Sequence, residues 1–373
     1  MLIQVDAHSH IEKPSHVSTD DYLEAARCMS MLEQQRLAHA REVTDRVSRL
    51  SLEHRKAVGE LFGEERYQKY RARIREAGAE RRTAIDSYPR DDDGRRRVRA
   101  RRDEIRTNVR RVQDDLTLDV RKLQALQERR AQQFHGLFAL PAAVVGATPS
   151  LVSPSSVPSE ILTGRTNPWQ LFTPPYAGWA FDYAWSRRGG IDPILSGIDS
   201  PTTGDIGSSE RTWDNDAGDD DFLHLDYHNK VGVFFTIPVT GLVESWVEVQ
   251  SVSSYHQVIH EDEWGFSDGF ANVGSRVTMQ VASPVPSSEV GARAFEVVRG
   301  GTDFTEFALN SYVVGNSYWG HLFSDRVYTT GQSLYILFGS HEYTNETVND
   351  VEYNDQVTYQ WNVKKLWIRS SGE

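Results

Sequence analysis

The chain has 373 residues, a single cysteine and a formal net charge of −12 at pH 7. One cysteine excludes an intrachain disulfide and a cysteine-rich metal centre, and no run of about 18 apolar residues is present to form a transmembrane helix. The length predicts two domains. The start at Met1 lacks the basic and apolar pattern of a signal peptide, which predicts synthesis in the cytoplasm and use in a virion or extracellular assembly.

The charge is distributed unevenly along the chain. Residues 1–140 contain 29 Lys+Arg and 24 Asp+Glu, whereas residues 141–373 contain 12 and 29. A weakly basic N-terminal part is therefore followed by a strongly acidic part. Complementary charge of this kind favours contact between the two parts of neighbouring subunits.

The N-terminal arm, residues 1–17, contains Asp6, His8 and His10 after a short apolar run. On a strand, the two histidines would point to one face, as a metal ion requires. The Asp-x-His-x-His spacing resembles the first metal-binding strand of the amidohydrolase barrel. The following residues do not alternate strands and helices, which such a barrel needs. The sequence therefore favours a polar arm that orders against a neighbouring subunit over a metal site.

Residues 18–140 have the composition and periodicity of two long helices. No proline occurs between Tyr22 and Ser87, and apolar residues recur at steps of three and four. Pro89 and the Asp and Gly residues after it predict a sharp turn, and a second helix is predicted from about Arg95 to Leu140. The spacing predicts a long antiparallel helical hairpin or coiled coil, with Asp119 as an exception in the apolar seam.

Two such helices would be roughly 100 Å and 66 Å long at ~1.5 Å per residue. A pair of helices buries only one apolar stripe, so the remaining surface must be solvated or must meet other subunits. The sequence therefore predicts a homo-oligomer. It leaves open whether the helices pair within one chain or between chains, and how many subunits assemble.

An arginine-rich run opens the second predicted helix. Asp91 to Asp93 lie next to it and no aromatic residues are interleaved, which argues against nucleic acid as a partner. The favoured interpretation is a solvated helix start. Arginines at a helix N-terminus oppose the helix dipole, so contact with an acidic partner is the second hypothesis. The run consists of Arg95, Arg96, Arg97, Arg99, Arg101 and Arg102.

A linker is predicted at residues 141–175. Seven of the 14 prolines lie there, separated by Ser and Thr, which indicates an extended segment without its own core. The start of the linker overlaps an apolar stretch, residues 134–147, which is too short to span a bilayer. That stretch is interpreted as a buried junction, with a membrane-inserting segment as the alternative.

Residues 176–373 change to the two-residue period of strands. Val357, Tyr359, Trp361 and Val363 alternate with polar residues, which predicts a strand with one buried face. Strands without helices between them predict an antiparallel β-sandwich of jelly-roll type. The predicted strands are 179–185, 222–227, 231–237, 242–252, 276–282, 292–298, 304–314, 333–338 and 356–368.

All nine tryptophans lie between Trp169 and Trp367, and most are expected in the core. Aromatic residues in loops beside Asp, Asn and His are candidates for stacking on a glycan, with core or subunit contact as the alternative. These candidate ligand-binding residues are Trp213, Trp264, Phe266, Phe270 and Trp319.

An acidic loop follows Trp213. Asp214, Asp216 and Asp220 alternate around Gly218, and this spacing is typical of calcium loops, which need several oxygen ligands and a sharp turn. The bidentate glutamate of a full EF-hand is missing, so calcium is a possible cofactor and a solvated loop is the alternative. Motifs for nucleophilic, zinc-dependent or nucleotide-dependent catalysis are absent from the sequence.

The sequence thus predicts a segregated α+β protein, with a helical hairpin at residues 18–140 and a β-sandwich head at residues 176–373. The first functional hypothesis is a non-enzymatic structural protein that assembles with itself and with other structural proteins in a virion or surface appendage. The second is a multivalent glycan- or protein-binding module. The third is a membrane-active toxin. No catalytic residue is predicted.

Overall fold

The structure is a computed structural model, and it describes most of the C-terminal two thirds of the chain and parts of the N-terminal third. The described residues are 3–4, 10–11, 18–69, a few positions between 72 and 115, 119–138, 154–164, 168–186, 194–197, 200–214, 220–262, 269–282, 289–301, 304–309, 314–324, 326–349 and 351–371.

Strands make up most of the described residues beyond position 168. They are β1 Ile3–Gln4, β2 His10–Ile11, β3 Gln170–Phe172, β4 Ala177–Ser186, β5 Ile194–Gly197, β6 Asp205–Asp214, β7 Asp220–Thr236, β8 Leu242–Asp262, β9 Gly269–Ala282, β10 Glu289–Gly301, β11 Phe304–Leu309, β12 Ser317–Phe323, β13 Ser333–Asn349 and β14 Val351–Ser371.

The strands form two antiparallel sheets of seven strands each. Sheet A has the order β1-β4-β7-β13-β9-β10, and β2 also pairs with β4. Sheet B has the order β11-β8-β14-β6-β5, while β12 pairs with β8 and β3 with β14. The long strands β8 and β14 pair along nearly their whole length, with register shifts after Gln360 and after Val363.

One hydrophobic core lies between the two sheets. Because side chains alternate along a strand, every second residue of the central strands points into it. Sheet A contributes Phe235 and Ile336, and sheet B contributes Val247 and Trp361, all at most 1% exposed. The alternation that predicted the last strand is therefore confirmed.

A buried asparagine joins the two sheets where the core becomes polar. Asn229 on β7 donates from Nδ2 to the carbonyl of Gly207 on β6 (2.9 Å), and its Oδ1 accepts from the Gly207 N–H (3.1 Å). The hydroxyl of Ser340 donates to the same oxygen at 2.7 Å. Gly207 has a φ of 136°, and a Cβ there would lie 1.9 Å from the carbonyl oxygen of Tyr359. Position 207 therefore requires glycine.

We expect Asn229→Ala to lower the free energy of unfolding by about 3 kcal/mol, because it leaves the N–H and the C=O of Gly207 buried without this partner. Chemical denaturation of the variant and the wild type measures the difference. Asn316→Ala, at an exposed position, is the control and should change stability by less than about 0.5 kcal/mol. An equal loss in both variants would contradict the role of Asn229.

The two long helices contact sheet A. The described elements are α1 Thr19–Phe62, α2 Val120–Phe138, the short α3 Ser159–Leu162 and a single 3-10 turn at Pro154–Ser156. Helix α1 contacts α2 and the strands β7, β9 and β13, and α2 contacts β9 and β10. His54, Val58 and Phe62 are buried at helical spacing on α1, so this end of α1 packs closely.

The predicted fold class is wrong. Among the described residues, two antiparallel sheets dominate and no long N-terminal helical hairpin or coiled coil is seen; the helical segments pack on sheet A instead. Two positions within the predicted helices are helix ends, and helical residues resume at 64 after the first of them. Gly63, with a φ of 79°, terminates α1, and the carboxylate of Asp119 accepts the backbone N–H of Lys122 and caps α2.

The predicted strands each overlap an observed strand, but their boundaries differ. The predicted strands 222–227 and 231–237 do not include residues 228–230, which are His, Asn and Lys. They continue β7 instead, and all three are at most 1% exposed. The Nζ of Lys230 donates to Oε1 of Gln280 on β9 at 2.8 Å, so polar side chains are buried on both faces of sheet A.

Candidate ligand-binding face

One part of the outer surface of sheet B combines aromatic, acidic and basic side chains. The register places Phe323 of β12 opposite Glu244 of β8, and Glu244 opposite Arg369 of β14. Residues directly opposite each other in antiparallel strands share a face. Their neighbours Val243 and Ile368 point into the core, so Phe323, Glu244 and Arg369 point away from it. These three residues, together with His321 on β12 beside them, are called the polar row.

The next row on the same face is aromatic. His321 lies opposite Trp246, and Trp246 lies opposite Trp367. One step further along β12, Trp319 lies opposite Glu248. Trp246, Trp319 and Trp367 are between 2% and 8% exposed. These three tryptophans on three adjacent strands are called the indole plate.

Glu244 is the centre of the polar row. Its Oε1 accepts from the indole Nε1 of Trp246 (2.9 Å) and lies 3.1 Å from Nε2 of His321. Its Oε2 accepts from Nε of Arg369 (2.8 Å) and lies 2.6 Å from a terminal nitrogen of the same guanidinium. Each carboxylate oxygen therefore has two partners.

These contacts determine the charge of Glu244. Burial would raise the pKa of its carboxyl group, but the hydrogen bonds from His321, Trp246 and Arg369 and the charge of Arg369 lower that pKa to about 2. The carboxylate is therefore ionised at neutral pH. A general acid needs a raised pKa, and a general base needs a free lone pair, so Glu244 is suited to holding its neighbours in place.

The neighbours of Glu244 are held by stacking as well as by hydrogen bonds. The imidazole of His321 stacks on Trp246 with ring centroids 4.1 Å apart, and the guanidinium of Arg369 lies 4.4 Å from the ring centroid of Trp169. The side chains of His321 and Arg369 are 32% and 34% exposed. Phe323, beside them, is 45% exposed. The polar row thus presents an aromatic ring, an imidazole and a guanidinium to solvent in fixed positions.

A short segment covers the indole plate. Val157, Ile161 and Trp169 form one buried cluster with the three plate tryptophans. Residues 154–164 together with Trp169 are called the strap. The strap belongs to the predicted linker, residues 141–175, and this part of the linker lies on sheet B. The extent of the linker, residues 141–175, stays a prediction.

A second ion pair lies on the other side of the plate. The Nζ of Lys365 is 3.4 Å from Oε2 of Glu248, and the hydroxyl of Ser317 donates to Oε1 of Glu248 at 3.3 Å. The side chain of Lys365 is 47% exposed. The charges of the face therefore balance locally.

The structure places the sequence-predicted ligand residues at separate positions. Trp319 is buried in the indole plate, where core contact was the alternative interpretation. Trp213 lies in β6 and Phe270 in β9, with side chains outside the description. Trp264 and Phe266 are not among the described residues. Among the members of this set whose side chains are described, Trp319 belongs to the candidate face.

The structure describes only part of the predicted calcium loop. Asp214 ends β6 and Asp220 begins β7, whereas Asp216 lies in the undescribed segment between them. Within the described ranges no group of three or more His, Cys, Asp or Glu side chains is placed to hold a metal ion. Calcium binding stays a prediction.

Two arginines of the predicted basic run are described. Arg96 and Arg97 are exposed and each forms an ion pair with Asp93, at 3.4 Å and 3.0 Å. Exposed ion pairs of this kind contribute little to stability, and the interpretation of the whole run stays a prediction. The remaining members, Arg95, Arg99, Arg101 and Arg102, are outside the described residues.

Sequence patterns missed the residues of the polar row. Glu244 and Trp246 lie in a predicted strand, but the sequence does not indicate that β12 pairs beside them. Arg369 lies one residue beyond the predicted end of the last strand. The available signal was the alternation in 243–249, which places Glu244, Trp246 and Glu248 on one face and valines on the other.

Among the helices described, none is long and apolar enough to cross a membrane.

Comparison with known proteins gives little. No protein-family model matches the chain, and no curated protein matches it. Among solved structures, TmCBM61, a carbohydrate-binding module solved in complex with beta-1,4-galactotriose, is 9% identical; the alignment covers 57% of this chain and 94% of that one, with a TM-score of 0.16. The enzymatically active domain of bacteriophage CBA120 tailspike protein 4 is also 9% identical over 44% of this chain, with a TM-score of 0.16, and only 19% of that chain is covered. At these TM-scores neither similarity identifies the function.

Proposed function

We propose that this protein is a non-enzymatic carbohydrate-binding protein and that the polar row on sheet B is its binding site. The observation that carries the proposal is the arrangement around Glu244. A fully engaged carboxylate fixes an imidazole and a guanidinium whose outer edges are exposed, next to an exposed phenyl ring. Binding sites commonly combine an apolar contact surface with a few rigidly placed polar groups.

Each part of the row suits one property of a sugar ring. The C–H groups on one face of a pyranose are apolar and pack on an aromatic ring such as Phe323. The guanidinium of Arg369 retains N–H groups beyond those used by Glu244, and these can donate to hydroxyl or ring oxygens. When Nε2 of His321 donates to Glu244, Nδ1 is left as an acceptor for a sugar hydroxyl.

The chemistry of Glu244 supports binding over catalysis. Glycoside hydrolysis uses two carboxyl groups, one of them a general acid with a raised pKa. The pKa of Glu244 is lowered to about 2, and both of its oxygens are occupied. The second carboxylate of the face, Glu248, is held by Lys365 and Ser317.

The hypothesis of a structural assembly protein loses its main argument. It depended on two slender helices that would need other subunits to cover their apolar edges. In the structure, α1 and α2 contact sheet A of the same chain. Self-association and a place in a virion therefore stay predictions, and light scattering over a range of protein concentrations tests the first of them.

A glycan array followed by titration calorimetry with the glycans that bind tests the proposal. We expect Phe323→Leu to weaken binding about tenfold, which corresponds to about 1.4 kcal/mol, because the leucine stays apolar but loses the flat ring. Arg369→Lys should weaken binding at least as much, since a lysine cannot reproduce the planar fork.

Val314→Ala is the matched control. Val314 is 47% exposed, close to the 45% of Phe323, and it lies beside Gly315, which bonds to Ser251 at a distant part of β8. This variant should bind as the wild type does. An array without a binding glycan, or equal affinity in Phe323→Leu and wild type, would refute the proposed site.

A further inference from the structure

The indole plate has the dimensions of an extended sugar-binding surface. Trp246 and Trp367 are directly opposite each other on β8 and β14, and Trp319 lies on β12, the next strand over. Neighbouring strands are about 4.8 Å apart, so the plate spans about 10 Å, comparable to two linked hexose rings. Trp246 is fixed through its bond to Glu244, so the plate is continuous with the polar row.

The strap that covers the plate has little regular structure. Its described residues form one 3-10 turn and one four-residue helix, and Leu162 of that helix is 54% exposed. Helix α3 has no side-chain N-cap hydrogen bond. Three apolar side chains, Val157, Ile161 and Trp169, supply the contact with the plate.

The cover leaves one polar group of the plate unsatisfied. Trp367 is 2% exposed, and its indole Nε1 has no hydrogen-bond partner among the described residues. A buried donor without an acceptor costs about 1–3 kcal/mol. A ligand with hydroxyl oxygens could supply the acceptor, whereas the strap side chains packed on the plate are apolar. The plate is thus better matched to an amphipathic ligand than to its present cover.

Among the described residues, a cation–π contact connects the strap to the polar row. Arg369, which bonds to Glu244, also lies over the ring of Trp169. A ligand that draws the guanidinium of Arg369 toward its own oxygens weakens this cation–π contact. Binding in the polar row and release of the strap are therefore coupled through one side chain.

We infer that the indole plate is a second part of the carbohydrate site, specific for chains of two or more sugar units, and that the strap is its lid. The inference rests on the proposed function. A single sugar ring occupies the polar row alone, whereas a longer chain displaces Val157, Ile161 and Trp169 and stacks on the plate. The closed strap lowers the affinity for longer chains, because part of the binding energy is used to open it.

The experiment compares Trp169→Ala with Trp169→Phe and wild type. Calorimetry uses the beta-1,4-linked glucose and galactose series from one to six units as probes. Trp169→Ala loosens the strap, so we expect the affinity for the six-unit chain of a binding series, divided by the affinity for its single unit, to rise at least fivefold above the wild-type ratio. The ratio corrects for any change in how Arg369 is held when the ring of Trp169 is removed. Trp169→Phe retains an aromatic ring under Arg369 and should behave as the wild type.

Fluorescence gives a readout that needs no ligand. Acrylamide should quench tryptophan emission more strongly in Trp169→Ala, although one indole has been removed, because the plate is uncovered. Val157→Ser, which keeps Trp169, is the second variant in case Trp169→Ala does not fold, and it should show the same direction in both measurements.

The outcomes separate the two proposals. If Phe323-dependent binding is present but loosening the strap changes neither the long-chain affinity nor the quenching, the lid is refuted and the proposed function stands. If no sugar binds to wild type or to either strap variant, both are refuted.

Discussion

The free energy of unfolding is expected to fall steeply as the pH drops below about 6.5. His54 and His256 are buried, and each has its pKa lowered from 6.5 to about 3, His54 by burial and by the charge of Arg130, His256 by burial. In the unfolded chain both have ordinary pKa values. Protons therefore bind more readily to the unfolded state, and the stability that is complete above pH 6.5 is lost as the pH falls toward 3.

The expected size follows from 1.36 kcal/mol for each pKa unit. At pH 5, which is 1.5 units below the unfolded value, each histidine removes about 2 kcal/mol, so both together remove about 4 kcal/mol. Urea denaturation at a series of pH values between 5 and 8 measures this loss. Such a loss is a large part of the stability of a typical domain.

Removing the two imidazoles is the matched control. The double variant His54→Gln/His256→Gln should be less stable than wild type at pH 8, and its stability should depend less on pH between 6.5 and 5. Any dependence of the free energy of unfolding on pH that remains in this variant comes from the other titrating groups. A wild-type stability that stays constant down to pH 5 would show that these imidazoles are not buried in a neutral form.

We expect Glu244→Ala to destabilise the protein by about 2–4 kcal/mol, because it removes the common acceptor of His321, Trp246 and Arg369. The buried indole N–H of Trp246 loses its partner outright, whereas Arg369 is a third exposed and is partly rescued by water. The same variant should lose carbohydrate binding, since His321 and Arg369 are no longer held. Glu244→Gln keeps one acceptor and should cost less, about 1–2 kcal/mol.

A double-mutant cycle measures the coupling energy between Glu244 and Arg369. Combining Glu244→Ala with Arg369→Ala should give a coupling energy of at least about 1 kcal/mol, because the two side chains share two contacts. Unfolding by urea at pH 7.5, where both groups are charged, measures all three variants. Additive effects would mean that Glu244 does not hold Arg369 in solution.

Sequence patterns located the strands well because alternation survives wherever one face of a strand is buried. In β14 the buried residues Val357, Tyr359, Trp361 and Val363 alternate with less buried ones, so the period of two is clear. The pattern failed at His228 to Lys230, where both faces are buried and polar side chains bond within the protein. Local periodicity carries no information about partners that are distant in the sequence, such as Gln280 for Lys230.

The helical prediction failed for a related reason. Helix propensity and spacing were correct locally, but they do not show where a helix ends or what covers its apolar stripe. Gly63 and Asp119 are a helix stop and a helix cap, and both are recognisable only when the ladder of backbone hydrogen bonds is known. In the structure α1 and α2 contact sheet A, and Val58 and Phe62 are buried within the chain, so the main argument for an oligomer is removed.

The candidate site could not be predicted from the sequence, because its residues lie on three different strands. Phe323, Glu244 and Arg369 are separated by 79 and 125 positions in the chain, and only the register of β12, β8 and β14 brings them together. The sequence predicts most tryptophans in the core, but it could not assign Trp246 and Trp367 to the outer face. The residue types indicate which contacts a ligand could make, and the pairing of the strands determines which residues lie side by side.

A two-dimensional NMR titration of the wild type with a glycan that binds on the array tests the central claim most directly. The signals of Trp246 Nε1–H and Arg369 Nε–H, assigned with Trp246→Phe and Arg369→Lys, report on the two sides of Glu244. We expect both signals to shift together and to saturate at the same glycan concentration, with the signals of Val314 and Gly315 unchanged. Binding that shifts other parts of the chain and leaves both of these signals in place would contradict the account.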